Sequence, residues 1–150
     1  MTSSASPTKQ LQVRFWTALI QSRAHNAPQL KPQKPQPQNW LNNSIGRSGF
    51  QLNVLVNTRS ARIGVELWMS DENAKTYFAQ LLATREDIER RLGFELDWQE
   101  LPRSRSCRIA SHYPNACIED ETRWEEYFQW IGQRLVTMDT VLRPIVKALP

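Results

Sequence analysis

Acidic side chains are missing from the first 65 residues: all fifteen Asp and Glu lie at or beyond Glu66. That leading segment holds Lys9, Arg14, Arg23, Lys31, Lys34, Arg47, Arg59 and Arg62 and carries +8, whereas residues 66–150 sum to −4. So uneven a distribution suits a polyanionic partner, or a front segment lying against an acidic protein surface, and the sign does not choose between them. Cysteine is scarce as well. The two present, Cys107 and Cys117, are too few for a disulfide framework and are not a Cys-x-x-Cys pair, so free thiols are expected. Histidine is limited to His25 and His112. Cys107, His112 and Cys117 therefore fall short of the four ligands of a closed zinc site, and no metal is expected. No run of eighteen apolar residues occurs, and residues 1–6 have neither a basic start nor an apolar stretch; the expectation is a cytoplasmic chain with no membrane contact. A Gly-x-Ser-x-Gly elbow is also lacking. With it goes any nucleophilic constellation, so neither catalytic residues nor a cofactor are expected.

Six Trp, five Phe and three Tyr are present in 150 residues that are 40% hydrophobic, with only five Gly. That composition excludes a low-complexity chain and suits one α+β domain over residues 1–150. Residues 1–8 are expected to lack fixed structure. Residues 28–40, where Pro28, Pro32, Pro35 and Pro37 each fix φ, read as a stiff, basic, proline-rich connector. Leu11, Phe15, Ala18 and Leu19 recur at helical spacing and predict a helix over 9–23. Phe50, Leu52, Val54 and Val56 alternate with Gln51, Asn53, Leu55 and Asn57, and Ile63, Val65, Leu67 and Met69 repeat the period. The polar break over 58–61 makes the two a predicted hairpin.

After this hairpin, Asp71 caps a predicted helix running through Ala74, Phe78, Leu81, Leu82, Ile88 and Leu92 to a stop at Gly93. Phe94, Leu96 and Trp98, a turn over 102–106, and residues 107–113 form a second predicted hairpin. A last helix runs from Asp120 or Glu121 through Trp124, Phe128, Ile131, Leu135, Met138 and Leu142, with Pro144 expected to kink or end it. The order α-ββα-ββα predicts a four-stranded antiparallel sheet with its helices on one face. Gln51, Asn53, Asn57, Arg62, Glu66 and Trp68 would project from the other.

Arginines concentrate at both predicted turns, Arg59 and Arg62 at the first and Arg103, Arg105 and Arg108 at the second. If the halves pack alike, these tips converge at one edge. With Arg47, Lys31 and Lys34 they would form a patch able to neutralise several phosphates, beside Trp40 and Trp68 for base or sugar contact. Solvated turns are the plainer alternative. The loop Ser44-Ile45-Gly46-Arg47-Ser48-Gly49 could hold an anion on backbone N–H groups, but it enters a strand rather than a helix, so a structural turn fits better. Glu66 on a central strand invites comparison with metal-dependent nucleases. The position two residues on, often Lys at such sites, is Trp68, which favours a paired or solvated Glu66.

Trp40, the run Gly46-Arg47-Ser48-Gly49-Phe50, the run Arg62-Ile63-Gly64-Val65-Glu66-Leu67, and the helix bearing Lys75, Phe78, Leu82, Ile88 and Glu89 together carry a family likeness. It continues through Gly93, Trp98-Gln99-Glu100-Leu101, Arg108-Ile109 and Trp124. In these positions the chain resembles the bacterial and archaeal domain of unknown function 4268, often found behind a restriction-endonuclease-like domain. The resemblance implies an association with a restriction or defence nuclease, with Gly46, Arg47, Gly49, Arg62 and Glu66 as candidates for a shared site, and the lack of a catalytic constellation makes a non-catalytic accessory module the expectation. The expected function is nucleic-acid binding through Arg47, Arg59, Arg62, Arg103, Arg105 and Arg108. Docking of a nuclease domain or other protein partner is the alternative, and a metal-dependent nuclease the third reading.

Overall fold

A computed structural model describes residues 6–22, 27–31 and 33–150. Pro7–Ser22 forms helix α1, which begins inside the segment expected to lack structure. Proline's fixed φ suits the first helical position, and the Ser6 hydroxyl accepts the Lys9 N–H at 3.2 Å, satisfying one of the donors a helix start leaves open. Residues 1–5 of that expectation lie outside the described residues. The proline-rich connector does not stand off from the body. Leu30 is buried, the Trp16 indole donates to the Gln38 carbonyl at 2.8 Å, and Gln33 donates to the Asn42 carbonyl at 2.9 Å.

The sheet has five strands, one more than the alternation predicts: Trp40–Leu41 (β1), Phe50–Asn57 (β2), Arg62–Met69 (β3), Asp97–Gln99 (β4) and Cys107–Pro114 (β5). The extra strand β1 is two residues long and therefore too short to show a period. Strand order is β1-β2-β3-β5-β4, every neighbouring pair antiparallel. The predicted helix after Asp71 is instead two, Ala74–Ala83 (α2) and Arg85–Leu92 (α3). Thr84 breaks it: its hydroxyl bonds back to the Leu81 carbonyl at 3.1 Å, while Glu86 and Asp87 supply the acidic first turn that favours a fresh helix start. The last helix, α4 (Trp124–Lys147), follows a short 3-10 turn at Glu121–Arg123 and continues past Pro144. Pro144 and Thr140, whose carbonyl loses its N–H partner there, both face solvent, so the missing bond is not a buried one.

Phe50, Leu52, Val54 and Val56 of β2, Ile63, Val65, Leu67 and Met69 of β3, and Cys107 and Ile109 of β5 form one side of the sheet. They share a single core with Phe15 and Trp16 of α1, Phe78 and Leu81 of α2, and Tyr127, Ile131, Leu135 and Met138 of α4. The helices thus pack on one face, as the alternation requires. Side chains of the opposite face take no part in that core.

Candidate functional site

Cross-strand register fixes what lies where on the second face. Gln51, Trp68, Arg108 and Gln99 form one row, and Asn53, Glu66, Ala110 and Asp97 the next. Leu55, Gly64 and His112 form a third, with Trp40 opposite Leu55. Little room is left at Gly64 in that row, because a Cβ there would stand 3.1 Å from His112 Nδ1 and 3.3 Å from the Ser111 carbonyl. Between the first and third rows opens a cavity of about 400 Å³, lined by Trp40, Gln51, Asn53, Leu55, Glu66, Trp68 and Arg108 with Asn39 and Asn42 at the β1 edge.

Glu66 is the first acidic residue in the chain and is only 2% exposed. Burial pushes its carboxyl above the usual range, while the Arg108 charge and the Asn53 amide pull it back. Asn53 Nδ2 donates to Glu66 Oε2 at 3.2 Å, and Arg108 forms a close ion pair with Glu66 Oε1. The Arg108 guanidinium also lies over the Trp68 ring, 5.4 Å from its centroid. Because a carboxylate only accepts, the Asn53 amide must turn its NH₂ toward Glu66, which leaves its carbonyl Oδ1 buried without a hydrogen-bond partner. Next to this cavity His112 Nε2 lies 3.3 Å from Asp97. Burial first, then the charges of Arg62 and Arg108, lower the His112 pKa against the opposing pull of Asp97.

The expected convergence of arginines is not found. β3 and β5 pair antiparallel from Met69↔Cys107 to Arg62↔Pro114. This register puts Arg59 and Arg62 at one end of the sheet and the loop bearing Arg103 and Arg105 at the other, roughly 23 Å apart at about 3.3 Å per residue. Arg108 sits between them, on the second face. Arg59, Arg103 and Arg105 are exposed and make no ion pair among the described residues.

Arg47 is drawn into the fold instead. Its guanidinium donates to the carbonyls of Val146 at 2.9 Å and Leu149 at 2.6 Å, and to the Tyr77 hydroxyl at 3.1 Å and the Pro150 carbonyl at 3.3 Å. It lies against the rings of Phe50 and Tyr77, 5.3 and 5.0 Å from their centroids. The cation thereby caps the negative end of α4. Gly46 and Gly49 have φ of +89° and +85°, and a Cβ on Gly49 would meet the Asp71 Cβ at 2.8 Å. The loop over 44–49 is thus a structural clamp. Lys75 and Glu89 are also ties within the fold. Lys75 donates to the carbonyls of Glu100, Leu101 and Ser106 and holds the loop that carries Arg103 and Arg105. Glu89 accepts from the Leu96 N–H at 2.8 Å and the Trp98 indole at 3.0 Å.

A family model matches residues 11–146. The chain belongs to that family, the domain of unknown function DUF4268. No curated protein and no solved structure matches it. Of the positions that carry the likeness to DUF4268, Arg47, Gly49, Lys75 and Glu89 are thus spent on the fold itself, while Glu66 and Arg108 meet in the cavity on the second face. No helix among the described residues is long and apolar enough to cross a membrane. Cys107 and His112 lie on opposite faces of β5, and among the described residues no three His, Cys, Asp or Glu side chains are grouped so as to hold a metal ion.

Sequence reasoning placed Asn53, Glu66 and Trp68 on the second face but did not join them into one site. The usable signal was the hairpin register, which sets Asn53 directly opposite Glu66: two polar groups facing each other at the middle of a sheet are costly unless something uses them.

Proposed function

We propose that the domain is a non-catalytic accessory module that binds single-stranded nucleic acid along the second face of its sheet, in association with a nuclease. The observation that carries this reading is the cavity on that face, with Trp40 and Trp68 among its lining residues and Asn53 and Glu66 at the middle of the sheet. Flat aromatic side chains on an open sheet are how several small folds stack unpaired bases. The cations at the two sheet ends extend the same surface. A strand lying along β3 would meet Arg62 and Arg59 at one end, the cavity midway, and Arg103 and Arg105 at the other, so cations set far apart serve an extended polyanion better than a compact one.

Binding of labelled single-stranded DNA, single-stranded RNA and duplex oligonucleotides at two salt concentrations tests this. Single strands are expected to bind more tightly than duplex, with an affinity that falls as salt rises by about 0.7 in logarithmic slope for each phosphate neutralised. Absence of binding at low salt removes the reading. Trp40, 40% exposed at the rim, favours a second one, the docking of a partner protein; a complex that forms only with a protein and survives high salt would select it. The nuclease reading has less support, since Glu66 is the single carboxylate lining the cavity and is already paired with Arg108.

A further inference from the structure

We infer that the cavity on the second face seats one nucleotide with its phosphate on the terminal nitrogens of Arg108, an inference that rests on the nucleic-acid reading above and names its central contact. Two observations carry it. The first is the state of the guanidinium. Its Nε is buried against Glu66 Oε1 in a close ion pair, and its plane lies over the Trp68 ring. Nη1 and Nη2 make no hydrogen bond among the described residues and, unlike Nε, are not buried; the side chain as a whole is 31% exposed. Arg108 is thus pinned at its inner nitrogen and open at its outer ones, with the terminal N–H donors of a rigid fork still to be used. The second observation is Asn53 in the same cavity, 3% exposed, whose Oδ1 accepts no hydrogen bond.

The occupant must then bring an oxyanion for Arg108, an N–H or O–H donor for Asn53 Oδ1, and a flat face to lie beside Trp40 and Leu55. The two polar points flank one carboxylate, since Asn53 Nδ2 donates to Glu66 Oε2 at 3.2 Å while Arg108 faces Oε1, so a single small unit spans both. A nucleotide carries all three features: phosphate, base N–H or sugar hydroxyl, and ring. Arg108 keeps its place throughout. Its Nε stays on Glu66 while Nη1 and Nη2 take the phosphate, so entry leaves no buried charge unpaired, and the carboxylate fixes the direction in which the fork points. The arginines at the sheet ends have no such constraint. Arg59, Arg103 and Arg105 are exposed and supply charge to a strand without fixing where a phosphate sits.

The test compares dithymidylate, whose single phosphate cannot reach both sheet ends, with its uncharged methylphosphonate analogue. Each is titrated into the isotope-labelled full chain and read by NMR at the indole signals of Trp40 and Trp68. Both signals are expected to move, and the phosphate form to bind roughly tenfold or more tightly than the analogue, as a charge-assisted contact gives. Arg108→Ala is expected to remove that difference, whereas Arg59→Ala and Arg103→Ala preserve it. Because Arg108→Ala strips buried Glu66 of its partner, the comparison on the unaltered protein decides the matter even where that variant fails to fold. Equal binding of the two forms, or indole signals that stay still while heptathymidylate binds, overturns the inference and leaves the nucleic-acid reading standing. No binding of either dinucleotide or of heptathymidylate overturns both. Inorganic phosphate that binds as tightly as dithymidylate would give the cavity to oxyanions in general, and overturns the nucleotide assignment.

Discussion

Replacing Arg47 with Ala separates a residue that holds the fold from one that holds a ligand. The side chain makes its hydrogen bonds to the carbonyls of Val146, Leu149 and Pro150 and to the Tyr77 hydroxyl, and it covers two aromatic rings. Hydrogen bonds from a charged donor contribute about 1.5–3 kcal/mol each when well buried, and these are only partly so; with shared acceptors and the ring contacts, a total loss of about 3 kcal/mol is expected. For a chain of this size that corresponds to a fall in Tm of roughly 6–12 °C. Thermal unfolding followed by circular dichroism reads it directly. Arg47→Lys is expected to recover less than half, because a point charge on a flexible stem cannot span the several acceptors that a guanidinium fork reaches. Folded Arg47→Ala protein is expected to bind oligonucleotides within about twofold of the parent, since the side chain is committed elsewhere and no phosphate contact is removed. Unchanged stability combined with lost binding would refute this assignment and return Arg47 to the binding surface.

Three further outcomes are expected. Gly49→Ala costs about 3 kcal/mol, combining left-handed backbone strain with the clash at Asp71, whereas Gly93→Ala costs about 1 kcal/mol, since its φ of +88° is strained but nothing lies within 4 Å; equal losses in urea titrations would contradict the packing described. Glu89 is held below the usual carboxylate range, its burial outweighed by the Trp98, Leu96 and Arg85 donors. Its contribution is therefore present above the ordinary carboxylate pKa and lost as pH falls through the lowered one, so Glu89→Gln flattens the acid side of the stability profile; a profile as steep as the parent's counts against it. His112 also has a lowered pKa. Charging it costs stability as pH falls below 6.5, the ordinary histidine value, and His112→Gln removes that decline between about pH 7 and pH 5, which stability measured at both ends of the window checks.

Period-two alternation made both central strands and the facing of Asn53, Arg62, Glu66 and Trp68 legible, because a strand with one buried side must show it in order of residue type. The family likeness was legible too, carried by residues from Trp40 to Trp124. What the sequence could not convey was long-range. Nothing near Arg47 indicates that its side chain reaches carbonyls about a hundred positions away, and a loop with two glycines and an arginine looks the same whether it grips an anion or a helix end. Similarly, the placement of the arginine tips depends on which strands become neighbours. β3 pairs along all eight residues with β5, while β4, with three, is left at the edge; that choice follows from matched lengths across the sheet, and neither hairpin records it locally.

Fixing its two arginine groups at opposite ends of rigid eight-residue strands makes the sheet a ruler. The groups cannot close upon a small partner, so a short anionic chain can touch one end or the other but not both. Affinity is then expected to step upward once a ligand is long enough to bridge the span, and to gain little from any length added beyond it.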